Sequence, residues 1–114
     1  SLTFAYADNA LAKTIEERLI KLIVANPRIM RDMPRLMREA TLQLDQAEGA
    51  LYAEIGDSRF WVGASDSYGA LLARSGLLPE DVVNEWRAFQ ARSAADNTFF
   101  GACNYYTYVA RRLE

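Results

Sequence analysis

Apolar residues in this chain switch between helical and extended spacing, and each switch predicts an element. Leu11, Ile15, Leu19, Leu22 and Ile23 recur at helical intervals opposite Lys13, Glu16, Glu17 and Lys21, with Asp8 or Asn9 placed to cap the start. The pattern predicts an amphipathic helix up to Ala25. Residues 1–7, short, apolar and uncapped, read as an extended lead-in or as the tail of a strand. Asn26-Pro27 closes the first helix and opens a second, in which Pro34 should cause a kink or a restart from Asp32 before the helix ends near Ala40. Residues 1–41 are thus expected to hold two helices.

In residues 42–55, Leu42 and Leu44 alternate with Gln43 and Asp45. Beyond Gly49 the apolar set changes face to Leu51, Ala53 and Ile55, as in one strand with a bulge near that glycine. Gly56-Asp57-Ser58 then breaks the strand and offers caps to a helix whose apolar side carries Phe60, Trp61, Ala64, Tyr68, Leu71 and Leu72. Gly63 and Gly69 weaken that helix, or allow a backbone or ligand to approach it. After Ser75-Gly76 a further helix starts at Pro79, with Val82, Trp86 and Phe89 on its buried side. Residues 57–95 form a helical cover on this reading.

Residues 98–112 are the most aromatic, β-favouring run of the chain. Phe99, Cys103, Tyr105 and Val109 fall on one face, and Phe100, Ala102, Tyr106 and Tyr108 on the other. A strand apolar on both faces is expected to be covered on both, in the middle of a layered sheet. The predicted fold is α/β, or α+β for the chain by itself, with two antiparallel strands and about four helices in a single domain or domain fragment.

Composition narrows the chemistry. The 114 residues carry a formal net charge of −2, which provides no general attraction to nucleic acid or to acidic membranes. No apolar run is long enough for a membrane span. There is no histidine, and Cys103 is the single cysteine, so His-based catalysis, His or Cys metal sites and internal disulfides are excluded. A lone thiol in an apolar strand suits the cytoplasm.

The glycines are scattered singly and form no phosphate-cradling loop, so no cofactor-binding residues are expected in this chain. Arg28, Arg31, Arg35 and Arg38 make a basic stripe that reads chiefly as a solvated face. Asp66 is the one suggestive carboxylate. The strongest constellation is aromatic. Phe60, Trp61, Tyr68, Trp86 and Phe89 could line a site for a small apolar or aromatic molecule, or could simply be core, and Asn104 is the polar strand residue most in need of a specific partner.

Three segments carry a family resemblance. Asn-Pro-Arg-Ile-Met-Arg-Asp-Met-Pro-Arg-Leu at 26–36, with Met-Arg-Glu-Ala-Thr-Leu-Gln-Leu at 37–44, resembles the late helix and following strand of class I S-adenosylmethionine-dependent methyltransferases, especially the ubiquinone/menaquinone-biosynthesis-like group. Asn-Thr-Phe-Phe-Gly-Ala-Cys-Asn-Tyr-Tyr-Thr-Tyr-Val-Ala-Arg-Arg at 97–112 is similar to that group's last strand. The opening Ala-Tyr-Ala-Asp-Asn-Ala-Leu at 5–11 looks like the passage after its fifth strand.

The resemblance implies a back half of the domain. Residues 42–55 would be the sixth strand, and 98–112 the seventh, antiparallel between the fifth and sixth. The cofactor-binding half is not among these residues. S-adenosylmethionine is therefore the family's cofactor but is not expected to bind this chain alone, which would supply sheet strands and an aromatic cover over a small-molecule acceptor. The expected partners are the missing N-terminal half or, for the chain by itself, a second copy. The rival reading is a non-enzymatic α+β domain that binds an apolar ligand or self-associates through its final strand.

Overall fold

The computed structural model describes residues 2–113. Its elements are β1 (Thr3–Phe4), α1 (Asn9–Ile23), α2 (Ile29–Glu39), β2 (Leu42–Gly56), α3 (Trp61–Ser75), α4 (Glu80–Ala95) and β3 (Phe99–Arg112). This is an α+β arrangement with four helices and a three-stranded antiparallel sheet in the order β1-β3-β2. The lead-in contributes a strand of its own, which adds a third to the two expected. Because β3 is antiparallel to both neighbours, β1 and β2 run parallel to each other.

β2 and β3 pair along their whole length, from Gly56 opposite Phe99 to Leu42 opposite Arg112. The register shift lies between Leu44 and Gln46, not at Gly49, so Asp45 is the extra residue. Gly49 stays in register opposite Tyr106, and an added Cβ there would make only ordinary contact with that ring. The bulge that the change of alternation called for is therefore present, four residues earlier than expected: Leu42 and Leu44 pair with Arg112 and Ala110, and so share one sheet face with Leu51, Ala53 and Ile55.

Only the base of this ribbon meets a core. Phe4 lies at its centre, edge-on to Trp86 at 5.4 Å and to Trp61 and Phe99 at 6.2 Å. Ile15 and Leu19 of α1, Leu72 of α3 and Val83 of α4 close around these rings. Gly101 makes room for them: a Cβ there would lie 2.8 Å from Phe99 and 3.0 Å from Phe4. Further along, β3 is not covered on both sides as expected. Phe99, Gly101 and Ala102 are buried, whereas Tyr105, Tyr106 and Val109 are each close to half exposed. The helices that cover the base do not extend along the strand.

The short β1 has a sealed outer edge. The Phe4 N–H, which points away from β3, donates to Glu16 Oε1 at 2.8 Å, and Gln90 Nε2 donates to the Ala5 carbonyl at 2.9 Å. Glu16, read as a solvent-facing residue of α1, is half-buried for this reason. Beside these contacts, Trp86 Nε1 and Gln90 Oε1 are buried without a hydrogen-bond partner among the described residues.

At the opposite end, α2 runs unbroken through Pro34. The missing proline N–H leaves the carbonyl of Met30, four residues earlier, without its helical donor. The Tyr108 hydroxyl donates to that carbonyl at 2.7 Å. A side chain of the last strand therefore replaces the lost helical bond, and neither a restart at Asp32 nor a new cap is needed.

Candidate functional site

The aromatic candidates are arranged by the turn from β2 into α3. Gly56, at φ +86, turns the chain out of the sheet. Glu54 then serves as the helix cap from within the strand. Its carboxylate accepts the N–H groups of Arg59 at 2.8 Å, Phe60 at 3.1 Å and Trp61 at 2.6 Å, and the Ser58 hydroxyl at 2.8 Å. Ser58 Oγ in turn accepts the Val62 N–H. The free donors of the helix start are thus satisfied by a negative charge at the positive end of the helix. Burial pushes the Glu54 carboxyl up, but the N–H groups of Trp61 and Arg59, the Ser58 hydroxyl and the Phe60 N–H outweigh it and bring the pKa down to about 2.

This cap fixes two adjacent rings in opposite directions. Trp61 points inward, and its indole N–H donates to the Tyr52 carbonyl at 3.3 Å. Phe60 stays outside, stacked on Tyr52 at 5.9 Å and edge-on to Trp61 at 4.8 Å. Along α3 an open groove of about 400 Å³ is lined by Arg59, Phe60, Gly63, Ala64, Ser67 and Tyr68. An added Cβ at Gly63 would meet nothing within 4 Å, so this glycine leaves the groove floor low. Tyr105 of β3 lies on the same sheet face as Tyr52. Burial raises its phenol pKa, and the nearby Cys103, Tyr68 and Tyr52 add to the rise.

The six candidates thus fall into separate settings. Phe60 is exposed, and Tyr68 is half-buried beside the groove. Trp61 and Trp86 are core residues, with exposures of 3% and 0%. Phe89 is half-buried edge-on to Tyr6 at 5.0 Å, away from the others. Asn104 is exposed, on the sheet face opposite Tyr52 and Tyr105, and pairs across from Leu51.

Asp66 is held by Arg87, whose Nη2 donates at 2.9 Å, and this pair ties α3 to α4. The Arg87 stem crosses Gly69, where a Cβ would come within 2.5 Å of its Cγ, so that glycine serves helix packing. In the arginine stripe Arg35 pairs with Glu39. Tyr105 was legible in the sequence as an aromatic residue of the last strand, on one face with Phe99 and Cys103, whereas Tyr52 was not singled out, because it falls out of step with Leu51, Ala53 and Ile55. Glu54 was hidden behind Asp57 and Ser58, which look like the better local caps.

Among the described residues no group of three or more acidic, histidine or cysteine side chains could hold a metal ion. No helix there is long and apolar enough to cross a membrane. The exposed aromatic surface can offer stacking and phenolic hydrogen bonds to a flat molecule. Comparison with protein-family models, with curated proteins and with solved structures finds no match for this chain.

Proposed function

We propose that the chain is the C-terminal part of a class I S-adenosylmethionine-dependent methyltransferase, contributing the terminal strands of the sheet and an aromatic cover for a small-molecule acceptor. The sheet order supports this reading most directly. β3 lies antiparallel between two mutually parallel neighbours, as the resemblance implies for a seventh strand between the fifth and the sixth. The bare sheet face is a second support. Ile55, Leu51 and Phe100, with exposures of 74%, 66% and 37%, share one side of the sheet with Ala53 and Tyr106, and a layered α/β domain would bury that side.

In this reading Phe60 and Tyr68 touch the acceptor, with Tyr52 and Tyr105 beside them. Trp61 and Trp86 shape the surface from behind, and Phe89 and Asn104 lie outside the groove. Methyl transfer from a sulfonium requires alignment of donor and nucleophile above all, and a chain without histidine can provide that. The protein works in the cytoplasm, and neither nucleic acid nor a membrane is its partner.

The coding sequence immediately upstream of Ser1 tests this. A glycine-rich strand-turn-helix in frame supports the reading, and a start codon at that boundary overturns it. The 114-residue chain alone should give no heat of S-adenosylmethionine binding in calorimetry; tight binding would refute the assignment of the cofactor site to the other half.

The alternative, a non-enzymatic domain that self-associates through its last strand, is favoured by one observation. Beyond Ala102, no strand among the described residues pairs with the side of β3 that β1 occupies.

A further inference from the structure

We infer that the 114-residue chain, as a separate polypeptide, forms a two-fold dimer in which β3 pairs antiparallel with β3 of a second copy, in the register that sets Tyr108 opposite itself.

The backbone supplies the first reason. The Ala5 N–H donates to the Phe100 carbonyl at 3.0 Å, so even-numbered residues of β3 direct their backbone groups toward the β1 side. β3 has no bulge, since the extra residue is on β2, and the alternation therefore continues through Tyr106, Tyr108 and Ala110. β1 pairs only with Gly101 and Ala102 and leaves this stretch accessible. α2 packs mainly on β2 and reaches β3 through the Tyr108 side chain, whose hydroxyl donates to Met30, and not through the backbone groups of that edge.

The fold also treats its two edges differently. The outer edge of β1 is closed by Glu16, which accepts the Phe4 N–H, and Gln90 ties down the Ala5 carbonyl where the strand ends. The longer edge of β3 has none of the usual protections: no proline, no lysine and no bulge between Tyr105 and Val109.

Self-pairing about Tyr108 is then chemically consistent. The even positions that face the edge match each other: Tyr106 meets Ala110 of the second copy and Tyr108 meets its equivalent, both as hydrogen-bonded pairs. Between them Thr107 meets Val109, a pair of β-branched residues, and Tyr105 meets Arg111, an aromatic ring beside a cation. No like charges face each other. The antiparallel arrangement sends the two cores, built from α1, α3 and α4, to opposite ends of the shared strand pair, with each α2 beside its centre. This proposal does not rest on the methyltransferase reading: in a longer protein a strand continuing β1 would take the same backbone groups.

The test is light scattering at micromolar concentration on the 114-residue chain, with two variants. The wild type should show twice the 12.8 kDa chain mass. Tyr106→Pro removes an N–H directed at the edge and none from the β2 ladder, so it should give a monomer with an unchanged far-UV spectrum. In a Cys103→Ser background, Thr107→Cys with Val109→Cys should form an intermolecular disulfide readily under mild oxidation, because that pair is a close, non-hydrogen-bonded one. Thr107→Cys alone should cross-link far less. A monomeric wild type overturns the proposal. So does a dimer that survives Tyr106→Pro, which would place the contact on the Ile55 and Phe100 face, and so does equal cross-linking of the single and double cysteine variants.

Discussion

The two ends of the β2–β3 ribbon have the same hydrogen-bonded ladder but opposite surroundings. At the base, Phe99 and Gly101 are sealed beneath Phe4, Trp61 and Trp86. Toward the tip, Leu51, Tyr105, Tyr106 and Val109 are exposed. The chain's radius of gyration reflects this: it is 17.1 Å, where about 13 Å is expected of a compact chain of this length. Strand pairing thus does not depend on burial here, while stability must come almost wholly from one end. Where the aromatic residues of β3 have no cover among the described residues, they are available to something else.

Three substitutions probe that division. Trp86→Ala at the base should produce the largest loss, about 3–5 kcal/mol in denaturant unfolding, because it empties the centre of the only packed cluster among the described residues. A loss below about 1 kcal/mol would mean that the ribbon carries more of the stability than its exposure implies.

Glu54→Gln, at the boundary between the two regions, should cost about 1–2 kcal/mol at neutral pH, since a charged cap becomes a neutral one. The effect should depend on pH in a defined direction. The folded carboxyl titrates at about 2, against an ordinary value of 4.5. Its contribution is therefore complete above the ordinary value and fades as pH falls toward the folded one. Wild type and variant should converge in stability over that acid window. A constant gap would remove the charge from the explanation.

Leu51→Thr, on the bare face, should change the stability of the separate chain by no more than about 0.5 kcal/mol, measured in the same way. A loss like that of a core residue would show that this face is covered in solution, and would turn the contrast between the two ends into a contrast between two interfaces.

Much of this arrangement was legible in the sequence. Helical spacing of Leu11, Ile15 and Leu19 located α1, and two of those residues, Ile15 and Leu19, are fully buried. The β-favouring run at 98–112 located β3. The extent of cover was not legible, because an apolar strand face reads the same whether its partner lies in the chain or beyond it. The division of the aromatic candidates was hidden for a related reason. Phe60 and Trp61 are adjacent in sequence, and only the cap on Glu54, set by a long side chain from the preceding strand, sends one ring outward and the other into the core. The third strand was hard to see because it is so short, and it is held by Glu16 and Gln90 as much as by its own ladder.

The hydroxyl of Tyr108 that replaces the lost bond at Pro34 also sets an order in time. Met30 and Tyr108 are 78 residues apart, and on a ribosome the helix emerges long before the residue that completes it. Until β3 has been made and paired, α2 carries an unmet carbonyl in its first turn and has little reason to persist. The second helix to be synthesised should therefore be among the last to become stable. Pulse-labelling hydrogen exchange would register this as late protection around Arg35, arriving together with that of β3.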